Sequence, residues 1–122
     1  MPHQAKEEER ETRIVMEIIV DAYGPEEQAL GWYYYLEEHL QMPFQARCIG
    51  KRSVSPLEVG EQVEVMGMPP EEECEHEMFV QIRWEERTFS VPLAQLEGIS
   101  VDQDTRQSIE DWHYWVEQGY SL

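Results

Sequence analysis

The sequence predicts an α+β protein in which a small, strongly bent SH3-like β-barrel of about five strands follows two N-terminal helices and precedes one C-terminal helix. Three observations support this class. Apolar residues recur at helical spacing near both ends of the chain, short alternating runs with tight turns fill its middle, and 122 residues suit one compact domain. We assign that domain to residues 11–122, after a flexible acidic lead-in at residues 1–10.

The first helix is expected at residues 12–24, in the stretch TRIVMEIIVDAYG. Ile14, Ile18 and Ala22 recur at the spacing of one helical face. The β-branched side chains would also suit a strand, but apolar and polar residues do not alternate here. Gly24 is expected to end this helix.

The second helix is expected to begin at Pro25, since a missing N–H costs nothing at the first helical position. Glu26 and Glu27 follow in the first turn, where they favour the positive end of the macrodipole. Pro43 is expected to stop the helix.

The middle of the chain predicts five short strands. A two-residue turn at Glu85–Glu86 joins the third and fourth strands as a hairpin, and Val80 and Ile82 show the alternation of the third strand. The predicted strands are residues 44–50, 57–68, 78–84, 87–93 and 94–101.

The last helix is expected at residues 102–122. Asp104 is the predicted N-cap, and Gln107, three positions later, would complete a capping box. Ile109 and Trp112 belong to its apolar face.

The charge of the chain is strongly negative, with 26 Asp and Glu against 9 Lys and Arg and a formal net charge of -17. Such a charge repels nucleic acid and anionic membrane surfaces and attracts cations and basic partners. Between Arg13 and Arg47 lie six acidic residues and no Lys or Arg, so surface ion pairing cannot account for most of these carboxylates. We therefore expect no nucleic-acid and no membrane partner.

The cellular compartment is predicted from the N-terminus and the cysteines. The polar, acidic start resembles neither a signal peptide nor a transit peptide, and no apolar run approaches the roughly 20 residues that cross a bilayer. Cys48 and Cys74 do not make a disulfide framework. We expect a cytoplasmic protein with two thiols.

The stretch PPEEECEHEM holds five glutamates within residues 71–77. If this stretch is extended, one side carries four carboxylates, those of Glu71, Glu73, Glu75 and Glu77. Two unit charges about 4 Å apart in water repel by about 1 kcal/mol, and a divalent cation would reverse the sign of that energy. The alternative is a solvated loop.

Asp102 and Asp104 have the D-x-D spacing that opens many calcium loops. An EF-hand then requires Gly at its sixth and Glu at its twelfth position, which here are Gln107 and His113, so this is not an EF-hand. Helix capping would explain Asp104 but would leave Asp102 free. Glu37 and Glu38, near the end of the second helix where the dipole disfavours anions, add to the candidate ligands.

Other chemistries have little support in the sequence. Cys74 and His76 lie two residues apart, but no C-x-x-C or H-E-x-x-H occurs, so zinc is not expected. Carboxylate oxygens favour calcium, magnesium or manganese. No Gly-rich phosphate loop and no G-x-S-x-G is present, and we expect no enzyme.

Four segments resemble the cyanobacterial calcium-binding protein family, abbreviated CcbP: DAYGPEEQALGWYYYLEEHL, EMFVQI, VPLAQLEGI and TRQSIEDWHYW. The resemblance runs from about residue 12 to the C-terminus. It implies a small, acidic, cytoplasmic protein that binds calcium without EF-hands and buffers or sequesters the ion. In filamentous members the family is linked to the control of heterocyst differentiation.

Two hypotheses follow. In the first, carboxylates from separate segments converge on one calcium site; the candidate ligands are Glu37, Glu38, Glu71, Glu73, Glu75, Glu77, Asp102 and Asp104. In the second, the chain is an acidic SH3-like adaptor that binds a basic protein through a groove formed by Trp84 with Tyr34 or Tyr35.

Overall fold

The computed structural model describes residues 5–119 and residue 122. In these residues two α-helices precede five strands, and a third α-helix follows them. The helices are α1 (Ala5–Arg13), α2 (Pro25–His39) and α3 (Gln103–Glu117), and the strands are β1 (Phe44–Cys48), β2 (Gln62–Gly67), β3 (Phe79–Trp84), β4 (Arg87–Pro92) and β5 (Leu96–Ile99).

The five strands form one antiparallel sheet in the order β4-β3-β2-β1-β5. In β1 the buried Phe44, Ala46 and Cys48 alternate with exposed residues, so one face of the strand is in the core. The register of β2 against β3 shifts between Val65 and Gly67, which bends the sheet locally. The α+β class and the five strands are therefore confirmed.

The predicted SH3-like barrel is not confirmed, because the sheet does not close. Its two edge strands are β4 and β5, which are not hydrogen-bonded to each other in the described residues. A 3-10 turn at Leu93–Gln95 carries the chain from β4 across the sheet, and β5 then pairs with β1.

The N-terminal region differs from the prediction. Residues 1–4 lie outside the described part, and from Ala5 onward the predicted lead-in is helical. The guanidinium groups of Arg10 and Arg13 bind the buried Asp111 of α3, which gives this acidic segment an attachment to the core. The helix continues as a π-helical turn, Ile14–Ile18, and ends there instead of at Gly24.

Other boundaries agree with the sequence pattern. Helix α2 begins at Pro25 as predicted, and the Glu85–Glu86 turn joins β3 to β4. Both turn residues have positive φ, 51° and 70°, which is what a type I′ hairpin turn requires.

The helices pack on one another through aromatic rings. Trp32 of α2 lies 5.0 Å from Trp112 and 5.6 Å from Trp115 of α3 between ring centroids, and the two α3 indoles are 5.5 Å apart. All three indoles are buried. In the described residues, no helix is both long enough and apolar enough to cross a membrane.

Candidate metal centre

A cleft of about 270 Å³ lies between α2 and a 3-10 turn at Glu71–Cys74, and we call it the acidic cleft. Its buried lining includes Ala29, Tyr33 and Cys74, whereas its four glutamates are exposed to solvent. The complete lining is Glu26, Ala29, Leu30, Tyr33, Glu71, Glu72, Cys74 and Glu75.

The 3-10 turn is held against α2 by buried contacts. The Tyr33 hydroxyl donates to the carbonyl oxygen of Pro69 at 2.6 Å, just before the turn. Cys74 is buried at its end, where the Phe79 N–H donates to its sulfur at 3.4 Å. Residues 71–74 form a 3-10 helical turn, so successive side chains point in different directions around its axis. The predicted extended conformation with alternating sides is therefore wrong.

Two neighbouring tyrosines at this cleft, Tyr33 and Tyr34, both have raised pKa values. The Tyr34 hydroxyl donates to a carboxylate oxygen of Glu71, and this hydrogen bond, followed by the charges of Glu71 and Glu37, raises the pKa of Tyr34. Burial raises the pKa of Tyr33, and Glu37 and Glu71 add to the rise. Glu37 and Glu71, two candidate ligands from separate segments, thus act on the same two phenols.

Among the residues that the structure describes, no cation pairs with the four cleft carboxylates. No Lys or Arg lines the cleft, and none of the ion pairs in residues 5–119 includes Glu26, Glu71, Glu72 or Glu75. Their mutual repulsion is therefore not offset by the protein itself.

Two further glutamates of the acidic stretch are bound elsewhere. Both carboxylate oxygens of Glu77 accept from the Arg52 guanidinium, at 2.7 and 2.8 Å, and this bidentate pair raises the pKa of Arg52. Glu73 accepts from the Ser90 hydroxyl at 3.1 Å. Neither glutamate lines the acidic cleft.

The candidate ligands of α3 lie where this helix meets the end of α2. Asp102, not Asp104, is the N-cap: its carboxylate accepts from the Thr105 N–H at 2.7 Å, which lowers the pKa of Asp102. Asp104 is the second residue of α3, in its first turn, where both of its oxygens are 3.0 Å from Nδ1 of His39. The prediction that capping occupies Asp104 and leaves Asp102 free is therefore wrong.

We call the contact between the end of α2 and the start of α3 the α2–α3 junction. Glu38 is exposed and precedes His39, the α2 residue of that contact. The junction is also held by the Gln41 N–H, which donates to the Thr105 hydroxyl at 2.9 Å. No residue of α3 lines the acidic cleft. The eight predicted ligands thus do not converge on one place. Two lie in the cleft (Glu71 and Glu75), one beside the Tyr33–Tyr34 pair (Glu37), two on other partners (Glu73 and Glu77) and three at the α2–α3 junction (Glu38, Asp102 and Asp104).

The donor set of the cleft fits a hard divalent cation. In the described residues, no three His, Cys, Asp or Glu side chains lie close enough together to hold a metal ion as they stand. The cleft nevertheless offers carboxylate oxygens, the ligands that calcium prefers. Burial raises the pKa of Cys74, which keeps it a thiol and makes it a poor ligand for a soft metal.

Sequence reasoning missed two residues of the cleft, Glu26 and Glu72. The first was assigned to the helix dipole, and the extended conformation of residues 71–77 placed the second opposite the candidate ligands. A cue for Glu26 is that it lies in the uncompensated acidic region between Arg13 and Arg47.

Of the two grooves predicted for a basic partner, the one that includes Tyr35 does not form, and the one that pairs Trp84 with Tyr34 stays a prediction. Tyr35 is buried beside His39, with ring centroids 4.2 Å apart, and cannot line an open groove. Trp84 packs edge-on against Phe89, and Tyr34 binds Glu71.

Comparison with known proteins gives a family and two similar structures. Residues 12–116 match the family model Calci_bind_CcbP, described as calcium binding. The crystal structure of Anabaena CcbP is 40% identical with a TM-score of 0.85, and a calcium-binding protein in its calcium-binding form is 39% identical with a TM-score of 0.86. Each match covers 100% of both chains. No curated protein matches the chain.

Proposed function

This chain belongs to the CcbP family of calcium-binding proteins, and from that premise we propose that the acidic cleft holds its calcium and that the protein buffers the ion in the cytoplasm. The supporting observation is the set of four cleft carboxylates with no Lys or Arg beside them. Glu71 and Glu75 are ligands that the sequence predicts, and Glu26 and Glu72 join them through the fold.

Each side of the cleft has a role in this proposal. Glu71, Glu72 and Glu75 supply oxygens from the turn, and Glu26 supplies them from the first turn of α2. Calcium takes about six to eight oxygens, including backbone carbonyls and waters, so in this proposal the exposed glutamate side chains rotate inward to the ion and carbonyls and waters complete its shell. Glu37, which acts on the Tyr33–Tyr34 pair, adds negative potential at one end.

The other predicted ligands are ranked below the cleft because most have partners within the protein, whereas in the cleft the hydrogen bond from the Tyr34 hydroxyl involves Glu71 alone among the four glutamates. Calcium at Glu77 or Glu73 would displace Arg52 or Ser90. Calcium at Asp102 or Asp104 would displace the cap of α3 or His39, which leaves Glu38 alone at the junction. The junction remains the second candidate place for calcium.

Calcium titration tests this assignment. We expect the double substitution Glu71→Gln and Glu75→Gln to weaken calcium binding about tenfold or more, since it removes two of four anchoring charges. Isothermal titration calorimetry gives the affinity and the stoichiometry. In parallel, calcium at about a hundredfold excess over Kd should stabilise the wild-type fold by about 2.7 kcal/mol, measured as a raised unfolding midpoint.

Two other variants make that result specific. Glu85→Gln with Glu86→Gln removes the same charge from an exposed turn and should leave calcium affinity nearly unchanged. Glu38→Gln with Asp104→Asn tests the junction. A larger loss in the junction variant than in the cleft variant would move the site to the junction, and equal losses in all three would indicate diffuse counterion attraction.

The buffering role has its own test. A calcium buffer changes shape little on binding, whereas a sensor opens a surface for a partner. We expect nearly identical scattering profiles and near-ultraviolet spectra with calcium and with chelator; a large change would favour a sensor. The family relationship supports a link to cyanobacterial calcium signalling and heterocyst differentiation, and no catalytic activity is proposed.

A further inference from the structure

Four large apolar side chains are exposed within nine residues that follow α1. Val15 and Val20 are each 50% exposed, Met16 is 63% exposed, and Tyr23 is 90% exposed. Single exposed apolar residues are ordinary on a protein surface, but several in one short segment indicate an interaction site. We call these four residues the apolar ridge.

The backbone holds the ridge in place on the outside of the helix pair. Ile14 and Ile18 are buried beneath it and are joined by a π-helical turn, a rare conformation that is frequent at functional sites. Asp21 has a φ of 62°, in the left-handed region. Gly31 of α2 lies against the Ile18 carbonyl, so closely that a Cβ there would be 2.3 Å from the oxygen. The segment is thus anchored by its buried residues.

Acidic residues flank the ridge. Glu17 and Asp21 are exposed between its apolar members. Met16 also lines a groove of about 520 Å³ along α1, together with Glu8, Glu9, Thr12, Arg13 and Glu17. The cation of that groove, Arg13, is held by the buried Asp111 through two hydrogen bonds of 2.9 and 2.7 Å. The groove lining therefore carries three carboxylates, those of Glu8, Glu9 and Glu17, against one arginine that is already hydrogen-bonded to Asp111.

We propose that the apolar ridge and the adjoining acidic groove dock a cationic amphipathic segment of another protein. Apolar side chains of that segment would cover Met16 and Tyr23, while its Lys or Arg side chains would lie over Glu17 and the groove. Charge complementarity selects this occupant. A second copy of this chain also carries a net charge of -17, and an anionic membrane surface is repelled in the same way.

This surface is separate from the proposed calcium site. No residue of the ridge lines the acidic cleft, and the groove shares no residue with it. Binding of the cationic segment can therefore be measured in the presence of chelator, so that its failure would leave the calcium assignment untouched.

The probe is a synthetic, dye-labelled peptide of about 18 residues with leucine and lysine at amphipathic helical spacing. Fluorescence anisotropy in chelator gives its Kd at low and at moderate salt. We expect Met16→Ser with Tyr23→Ser to weaken binding about tenfold or more, because two apolar anchors are lost. We expect Glu17→Gln with Asp21→Asn to weaken binding and to reduce its salt dependence.

The matched control lies on another exposed loop. Val54 and Val59 are 61% and 65% exposed, which matches the 63% exposed fraction of Met16. The double substitution Val54→Ser with Val59→Ser should leave the peptide Kd within about twofold. Unfolding midpoints establish that each variant is folded. A second control peptide carries glutamate in place of lysine and should not bind.

Four results would overturn the proposal. An unchanged peptide Kd in the Met16→Ser with Tyr23→Ser variant would mean diffuse charge attraction, and equal weakening by that variant and the valine control would mean that apolar contact is not confined to the ridge. Binding of the glutamate peptide or of anionic vesicles would contradict the charge argument. Dimerisation of the wild type that Met16→Ser with Tyr23→Ser abolishes would assign the ridge to a second copy.

Discussion

Asp111 is a fully buried carboxylate that connects the first helix to the last. Its side chain has 0% exposure and accepts hydrogen bonds from Arg10 and Arg13 at 2.7–2.9 Å. The hydrogen bond with Asp111 raises the pKa of Arg13, which keeps its charge in place. At the residue scale, this cluster attaches α1 to α3, together with the hydrogen bond from the Tyr114 hydroxyl to Glu11, and the sequence pattern reveals neither contact.

Removing the carboxylate should leave two arginines facing a buried site. We expect Asp111→Ala to destabilise the fold by about 3–5 kcal/mol, since breaking a buried pair leaves an uncompensated charge. Urea unfolding followed by circular dichroism measures the loss. The control is Glu110→Ala, whose half-exposed side chain reaches Arg10 at 3.4 Å and should cost less than about 1 kcal/mol. Similar losses for both variants would show that burial of Asp111 does not matter.

Single residues also show where sequence reasoning reaches its limit. Asp102 and Asp104 both suit an N-cap, and the sequence favours Asp104 because Gln107 completes its capping box. The structure uses Asp102, since the side chain of Asp104 binds His39 from another helix. A local motif cannot include a partner 65 residues away in the chain.

At the scale of elements, Gly31 sets the distance between α2 and the π-helical turn. In an exposed helix, Gly→Ala stabilises by about 1 kcal/mol. Here a Cβ would lie 2.3 Å from the Ile18 carbonyl oxygen, a backbone atom that cannot yield cheaply. We expect Gly31→Ala to destabilise the protein by about 1–3 kcal/mol in urea unfolding.

The comparison for that variant is Gly50→Ala. Nothing lies within 4 Å of a Cβ at Gly50, and its φ is not in the left-handed region. This substitution should be neutral or stabilise the protein by up to about 1 kcal/mol. A stabilised Gly31→Ala protein would mean that the two elements separate without loss.

Most elements were predictable because their signals are local. Pro25 marks the start of α2, and the two-residue turn at Glu85–Glu86 marks the β3–β4 hairpin. Residues 71–77 were not predictable in the same way. The segment is held by the hydrogen bond from the Tyr33 hydroxyl to Pro69, 36 residues away in the chain, and by the burial of Cys74, neither of which a local sequence pattern shows.

At the scale of the whole molecule, the net charge of -17 acts against compaction. We expect the unfolding midpoint of the chelated protein to rise with sodium chloride up to about 0.5 M, because the Debye length falls to a few ångströms and screens repulsion. Thermal unfolding followed by circular dichroism measures it.

A neutralised variant provides the comparison for that salt response. Replacing the exposed Glu8, Glu9, Glu85 and Glu86 by Gln should raise the midpoint at low salt and reduce its dependence on salt. A midpoint of the wild type that falls with sodium chloride would show that specific ion pairs outweigh the repulsion.

The global architecture could be predicted only in part. The α+β class and the number of strands follow from the pattern, but an open sheet and a closed barrel share the same strand signals. The candidate site shows the same limit. Charge composition and the family resemblance indicate calcium, whereas the meeting of Glu26 with the 71–75 segment requires the packed helix and turn.

The three packed indoles of α2 and α3 give the molecule a built-in optical label. Trp32, Trp112 and Trp115 are buried, and their ring centroids lie within 5.6 Å of one another. At these distances the excited states of the three indoles are coupled. Their emission and their coupled circular dichroism bands therefore report how far apart these two helices are. A ligand that moves α2 and α3 apart should therefore change the tryptophan fluorescence and circular dichroism of the unlabelled protein.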